Sequence, residues 1–136
     1  MDNSSLKTRH LLLIRGLPGS GKTTLANALK GHLKVPLCVC AADDYFTDSK
    51  GEYHFDPLLL INAHSWCRDR VREAMRRNAY VIVHNTFVQI WEMKPYMDMA
   101  DEFGYSVSEI VCRGDFGSVH GVPQATIDRM KDRWED

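Results

Sequence analysis

The fold of this chain is decided by residues 11–24, which read LLLIRGLPGSGKTT. Within this stretch Gly16, Gly21, Lys22 and Thr23 fit the spacing G-x-x-x-x-G-K-[ST] of a phosphate-binding loop. The apolar run before the motif predicts a buried strand, and the residues from Lys22 onward predict a helix. Because a strand, a glycine loop and a helix follow one another in this order, the stretch predicts a site for a nucleoside triphosphate.

Each part of the motif has a chemical task at such a site. Glycines let consecutive backbone N–H groups turn toward a phosphate, and the following helix directs its positive N-terminal end at the same anion. Lys22 would neutralise the β- and γ-phosphates, and Thr23 would offer its hydroxyl to Mg²⁺. We therefore expect ATP and Mg²⁺ as cofactors. The expected nucleotide-binding residues are Gly16, Leu17, Pro18, Gly19, Ser20, Gly21, Lys22, Thr23 and Thr24.

The size and charge of the chain limit the classes of function. Its 136 residues, 44% of them apolar, suffice for one compact core and are too few for two ordinary domains, so we expect a single domain over residues 1–136. A formal net charge of -1 gives no general attraction to nucleic acid, although a nucleic-acid end can still bind locally as a substrate. Residues 1–9 are polar and no apolar run reaches the length of a membrane span, so we expect a cytoplasmic protein without a membrane partner.

The sulfur-containing and large aromatic side chains are typical of a reduced, buried interior. The four cysteines form no Cys-x-x-Cys pair, and three of them lie in apolar stretches, so we expect buried thiols rather than metal ligands or disulfides. Tryptophans are expected in the core. These residues are Cys38, Cys40, Cys67 and Cys112, together with Trp66, Trp91 and Trp134.

Strand and helix patterns alternate along the whole chain. Strands are predicted at residues 10–15, 37–41, 79–83 and 105–112, and helices at 22–33, 57–78, 90–103 and 123–134. Continuous apolar runs predict that the first three strands are buried, whereas the alternating fourth strand is expected nearer an edge. This order predicts an α/β protein with the three-layer P-loop NTPase fold, a parallel sheet of about four strands flanked by helices.

Polar segments follow three of the predicted strands, at the edge where parallel sheets bind ligands. Asp43 or Asp44 can take the proton of an acceptor hydroxyl, or can instead cap a turn. Asn85 and Thr86 can contact the acceptor or the water shell of Mg²⁺, or can satisfy a turn. Arg113 can neutralise charge on the phosphoryl group in transfer.

With these segments assembled, the chain resembles the kinase domain of the polynucleotide 5′-kinase family within the P-loop kinases. The resemblance extends to small bacterial and phage AAA-family ATPases and to the kinase-like domain of proteins that bind NEDD-type ligases. It covers nearly the whole chain, through residues 16–23, 42–46, 53–57, 63–64, 84–87, 91–96 and 119–123.

This resemblance implies an ATP-dependent phosphotransferase with a four-stranded parallel sheet. It implies that Asp43 is the general base toward a 5′-hydroxyl and that Asn85 and Thr86 lie beside the acceptor. Asp44 is then a further substrate-binding residue, and Asp43 joins Thr23 as a candidate ligand of Mg²⁺. The implied acceptor is the 5′ end of a polynucleotide or a nucleotide-like small molecule.

The chain departs from the family pattern in two places. Phe46 stands where an arginine commonly follows the aspartate pair, and residues 113–118 stand where the family has a basic lid helix, so that Arg113 is the single local lid cation. These departures leave two alternatives to a kinase. One is a nucleotide-binding switch or accessory protein, and the other is an ATPase without a phosphoryl acceptor.

Overall fold

A computed structural model describes residues 8–117 and 120–136 of the chain. Of the polar residues 1–9 only Thr8 and Arg9 lie within the described residues, and Ser118 and Val119, which lie before the fourth predicted helix, lie outside them. The strands are β1 (His10–Gly16), β2 (Leu37–Cys40), β3 (Tyr80–Asn85) and β4 (Ser106–Cys112). The α-helices are α1 (Lys22–His32), α2 (Leu60–Arg76), α3 (Lys94–Phe103) and α4 (Gln124–Arg133).

The four strands form one parallel sheet in the order β2-β3-β1-β4. The strand β1, which leads into the glycine loop, is central: its Leu12 lies opposite Ile82 of β3 on one side and Ser108 of β4 on the other. Parallel neighbours require crossover connections, and the helices provide them. The predicted three-layer α/β fold of the P-loop NTPase type is therefore confirmed.

The core lies on both faces of the sheet. Side chains along a strand alternate between its faces. Leu11 and Leu13 accordingly join the larger core cluster, formed with α2 and α3. Leu12 and Ile14 join the smaller cluster, which α1 covers with Ala26. Because both faces of β1 are buried, its position is fixed, and so is the start of the glycine loop.

The sheet has two edge strands, β2 and β4, and the burial of one of them differs from the sequence-based expectation. The prediction that the second strand is fully buried was wrong, since in β2 only Cys40 is fully buried and the three preceding residues are half-buried. The reason is its position, because β2 pairs with β3 alone. The predicted edge position of the fourth strand is confirmed, and β4 is exposed from Ser106 to Ile110.

The helix boundaries follow their capping residues. Gly104 ends α3 in the left-handed conformation (φ 72°). The helix predicted at residues 90–103 is divided into a 3₁₀ turn at Ile90–Met93 and α3, and Pro95 lies in the first turn of α3. The expectation that Trp91 is a core residue was wrong, since this side chain is 66% exposed on that turn. Among the helices that the structure describes, none is both long and apolar enough to cross a bilayer.

An arginine is buried at the end of β1. Arg15 is 1% exposed, and its guanidinium donates to the carbonyl oxygens of Phe87 (2.7 Å) and Glu135 (2.6 Å). It also pairs with the Glu109 carboxylate at 3.2 Å and stacks over the Trp134 ring at 4.2 Å. One side chain thus ties β1 to β4, to the segment after β3 and to the segment after α4.

Candidate phosphate and acceptor site

The loop between β1 and α1 needs its glycines for two reasons. Gly19 and Gly21 have positive φ angles of 80° and 101°, which L side chains rarely adopt. The loop is also closely packed, because a Cβ on Gly16 would lie 2.6 Å from the carbonyl oxygen of Cys112, and one on Gly19 would lie 2.6 Å from that of Gly117. The backbone conformation therefore requires glycine at positions 19 and 21, and the close packing requires it at positions 16 and 19.

The loop and the first turn of α1 present unpaired donors. Within residues 8–117 and 120–136, the backbone N–H groups of Gly19, Gly21, Lys22 and Thr23 have no hydrogen-bond partner. The first turn of α1 carries no acidic residue and no side-chain cap. Adjacent free N–H groups at a helix N-terminus attract anions. The loop therefore fits the charge and hydrogen-bonding needs of a polyphosphate.

The side chain of Lys22 folds back over this loop. Its Nζ donates to the carbonyl oxygens of Gly16 (2.9 Å) and Leu17 (3.0 Å). Burial lowers the pKa of Lys22 below its ordinary 10.5, while the nearby charges of Cys112 and Asp43 act in the opposite direction. The ammonium is thus held at the loop, where an incoming phosphate would offer it stronger acceptors.

The outer side of the loop is bound by the segment that follows β4. The N–H groups of Gly114 and Phe116 donate to the carbonyl oxygens of Ser20 (3.2 Å) and Gly19 (2.8 Å). This segment, the loop and α4 enclose a cavity of about 450 Å³. Residues lining it include Leu17, Pro18, Cys112, Gly114, Ile127 and Trp134.

The aspartate pair after β2 lies on a 3₁₀ turn, Ala42–Phe46, and its two members differ in their contacts. The Oδ2 atom of Asp44 accepts the backbone N–H of Ala41 at 3.2 Å, which is the capping role expected as the alternative. The Oδ1 atom of Asp43 instead accepts the hydroxyl of Tyr53 at 3.2 Å. The charge of Asp43 also acts on Lys22, so these two predicted catalytic side chains lie within electrostatic range of each other.

Asn85 and Thr86, the pair predicted at the end of β3, accept hydrogen bonds from the two neighbouring segments of the site. Asn85 is 8% exposed, and its Oδ1 accepts the backbone N–H of Ala42 at 2.8 Å, in the turn that carries Asp43. The carbonyl oxygen of Thr86 accepts the backbone N–H of Gly16 at 3.2 Å. The end of β3 therefore connects the phosphate loop to the aspartate turn. Contact of either side chain with an acceptor stays a prediction.

Arg113 lies next to the loop, but its charged group points elsewhere. The guanidinium pairs with the carboxylate of Asp136 at 2.9 Å and is 65% exposed. Hydrogen bonds from Arg113 and Trp134 lower the pKa of Asp136. The structure therefore does not bring Arg113 to the Lys22 and Asp43 side chains.

Sequence reasoning missed Tyr53 as part of the site. Besides bonding Asp43, its ring stacks on the His120 ring with centroids 3.9 Å apart. Burial and the charge of Asp43 raise the pKa of Tyr53 to about 12, so the hydroxyl stays a donor at neutral pH. The sequence signal was present in the resemblance over residues 53–57, but the turn-forming composition of that segment predicts only a loop. A bridge between Thr47 and Tyr53 closes this loop and returns the tyrosine to the aspartates.

The fold and the loop define a P-loop protein of the kinase-like class. The chain belongs to the AAA-domain family, which matches residues 11–116. Human NEDD4-binding protein 2 is 34% identical over 139 aligned residues, which cover 92% of this chain and 8% of that protein. This chain therefore spans a small part of the length of that relative.

Two solved structures share the fold at lower identity. One is a chain of the Pnkp1/Rnl/Hen1 RNA repair complex, with a TM-score of 0.70 and 18% identity, covering 93% of this chain and 44% of that one. The other is Chaetomium thermophilum Kti12 in complex with ADP-AlF3, with a TM-score of 0.63 and 15% identity, covering 93% of this chain and 80% of that one. Both show the architecture of the fold that the motif predicted.

Proposed function

We propose that the chain binds ATP with Mg²⁺ and transfers the γ-phosphoryl group to a hydroxyl. The free N–H groups of the loop and the Lys22 ammonium would hold the phosphates. The cavity of about 450 Å³ beside Leu17 and Pro18 is open to the nucleoside part. That ADP-AlF3 is bound in the structure of Kti12 supports a nucleotide in the same fold.

The residues beside the loop also suit a magnesium ion. The hydroxyl of Thr23 and the carboxylate of Asp43 are both exposed and offer the hard oxygen ligands that Mg²⁺ prefers. When bound, the ion would neutralise charge on the phosphate oxygens.

The proposal depends most on one observation, the placement of Asp43. One of its oxygens is bound by Tyr53, and no bond within the described residues occupies the other. A carboxylate held in this way can accept the proton of a hydroxyl as that oxygen attacks phosphorus. Asn85 would act as a positioning residue, because it fixes the turn next to Asp43.

For the acceptor we propose a 5′-hydroxyl of a polynucleotide or of a nucleoside-like molecule. This choice is supported by the shared fold with a chain of an RNA repair complex and by the relative NEDD4-binding protein 2. Because the chain has a net charge of -1, it would recognise such an acceptor at its end and not along its length.

The test is transfer of label from γ-labelled ATP, in the presence of Mg²⁺, to oligonucleotides or nucleosides with a free 5′-hydroxyl. The proposal expects labelled acceptor with the wild-type chain, ATP binding without transfer in Asp43→Asn, and neither in Lys22→Ala. Wild-type protein that binds ATP and leaves every acceptor unlabelled would contradict the kinase.

A second candidate, a nucleotide-binding switch or accessory protein, is favoured by one contact. Because Asp136 binds the Arg113 guanidinium, this arginine is held in an ion pair and is not free to stabilise a phosphoryl group in flight. A switch would bind ATP tightly, without transfer and without hydrolysis. A plain ATPase would instead release labelled phosphate in the absence of any acceptor.

A further inference from the structure

Two cysteines lie side by side beneath the aspartate turn. Cys40 is the last residue of β2 and Cys67 lies within α2, and both are fully buried. Their Sγ atoms are 2.8 Å apart. A disulfide has an S–S distance of about 2.05 Å, so the two sulfurs would move by less than about 1 Å to form one.

The surroundings make Cys67 the more nucleophilic of the two. The Cys40 thiol, whose sulfur lies 2.8 Å away, and the neighbouring Tyr96 and Asn85 side chains lower the pKa of Cys67, while burial acts in the opposite direction. The contact with Cys67 and burial raise the pKa of Cys40. Within the described residues, Tyr96 Oη and Asn85 Nδ2 are buried polar atoms without a hydrogen-bond partner, so both are available as donors to a thiolate on Cys67. The surroundings therefore favour the thiolate of Cys67 over that of Cys40.

A cavity provides a route to this pair. It measures about 340 Å³, lies against β2, and is lined in part by Cys38, Val39, Arg70 and Arg77. The Nη1 atom of Arg70 lies 3.9 Å from the sulfur of Cys40. Arg70 therefore both lines the cavity and contacts the Cys40 sulfur, so that a movement of this side chain at the surface would give a small oxidant access to the thiols.

We propose that Cys40 and Cys67 are a reversible oxidation site for hydrogen peroxide. The Cys67 thiolate attacks one peroxide oxygen, the O–O bond breaks, and the products are a sulfenic acid and hydroxide, which takes a proton to become water. The Cys40 sulfur then attacks the sulfenic sulfur, the S–O bond breaks, and a second water leaves with the Cys40 proton. The two thiols are oxidised by two electrons, the peroxide is reduced, and a dithiol reverses the change.

Oxidation of the two cysteines would affect the proposed catalytic Asp43 through Asn85, which bonds the turn that carries this aspartate. The Oδ1 atom of Asn85 accepts the Ala42 N–H, next to Asp43, while its unpartnered Nδ2 is available to a thiolate on the neighbouring Cys67. A disulfide sulfur is a poor acceptor, so oxidation would take this partner from Nδ2 and leave the amide held at Oδ1. Phosphoryl transfer should then slow several-fold while ATP binding is kept. This second step rests on the proposed kinase function.

The site itself is tested without any activity measurement. The full chain is treated with hydrogen peroxide, remaining thiols are alkylated with N-ethylmaleimide under denaturing conditions, and the peptides are mapped by mass spectrometry. We expect a Cys40–Cys67 linked peptide that a dithiol removes, that is absent in Cys67→Ser, and that persists in the matched control Cys38→Ser. Peroxide that oxidises Cys38 and Cys112 and leaves Cys40 and Cys67 alkylated as free thiols overturns the site.

The coupling to Asp43 is tested on the oxidised chain, with ATP binding and label transfer measured before and after addition of a dithiol. Slower transfer that the dithiol restores, at unchanged ATP binding, supports the coupling. A quantitative disulfide with unchanged transfer overturns it. If the thiol form transfers no label to any acceptor, the proposed kinase function fails, while the linked peptide still decides the oxidation site.

Discussion

Within residues 8–117 and 120–136, the hydroxyl of Tyr53 is the single group that hydrogen-bonds the Asp43 carboxylate, at 3.2 Å. A hydrogen bond to a charged group contributes about 1.5–3 kcal/mol when buried, and less at this exposed position. In the proposed mechanism its value is orientation, because it would hold the carboxylate while the second oxygen accepts a proton.

Tyr53→Phe should therefore lower the rate of transfer about 3- to 10-fold and leave the dissociation constant of ATP unchanged. The matched control is Tyr45→Phe, since Tyr45 makes edge contacts with Phe46 and Trp66 through its ring. Initial rates of transfer and equilibrium binding of both variants make the comparison. Equal rates in the two variants would remove Tyr53 from the site.

Arg15 has a different role, since its bonds go to backbone carbonyls and to the Glu109 carboxylate and not to the site. Arg15→Lys keeps the charge but not the fork of donors that reaches Phe87, Glu109 and Glu135. We expect the free energy of unfolding to fall by about 2–4 kcal/mol. The control is Arg72→Lys, whose exposed ion pair with Glu102 should contribute less than about 1 kcal/mol.

Urea unfolding of both lysine variants measures these differences. If Arg15→Lys were as stable as Arg72→Lys, the guanidinium network would have no structural role. The burial of Arg15 could not be predicted from the sequence, because an arginine at the end of an apolar run equally suits a solvated strand end. Its partner Glu135 lies 120 residues away and is brought close only by the fold.

At the scale of elements, replacing a glycine by alanine should have opposite effects in the glycine loop and in the helix α1 that follows it. Gly19→Ala introduces a Cβ at φ 80° and 2.6 Å from the Gly117 carbonyl oxygen, so we expect ATP binding to be lost. Gly31→Ala lies near the end of α1, where a Cβ meets nothing within 4 Å. We expect it to keep ATP binding and to raise stability by about 0.5–1 kcal/mol.

Calorimetric titration with ATP and thermal unfolding of both alanine variants provide the measurement. Full ATP affinity in Gly19→Ala would show that the loop does not need its present backbone to hold a phosphate. Loss of ATP affinity in Gly31→Ala would place the defect outside the loop.

Elements with strong local signals were predictable, and those defined by tertiary contacts were not. The G-x-x-x-x-G-K-[ST] spacing and the apolar runs predicted the loop, the four strands and the parallel sheet. The half-buried state of β2 depends on strand order, which no local pattern encodes. The capping bond of Asp44 and the bond from Tyr53 to Asp43 likewise depend on how the segment after β2 folds back.

At the scale of the whole molecule, buried histidines predict a pH dependence of stability. Burial lowers the pKa of His84 and of His64 below the ordinary 6.5. Below about pH 6.5 the unfolded chain binds protons that the folded chain does not, so the free energy of unfolding should decrease as the pH falls. The decrease should continue until the folded pKa values are reached.

Urea unfolding at a series of pH values between 7.5 and about 5 measures this slope. In His84→Gln the slope should be shallower, because one of the histidines whose pKa burial lowers no longer titrates. A free energy of unfolding that stays level or rises over this interval would contradict the assignment of these histidines as buried and neutral.

The central claim concerns the whole fold, in which β1, the glycine loop and α1 together form a polyphosphate cradle. Isothermal titration calorimetry of the folded chain with ATP, with and without Mg²⁺, tests it most directly. The structure predicts one Mg²⁺-dependent binding site for the nucleotide that is lost in Lys22→Ala, a variant that should still unfold cooperatively. No heat of binding from ATP or any other nucleoside triphosphate would contradict the claim.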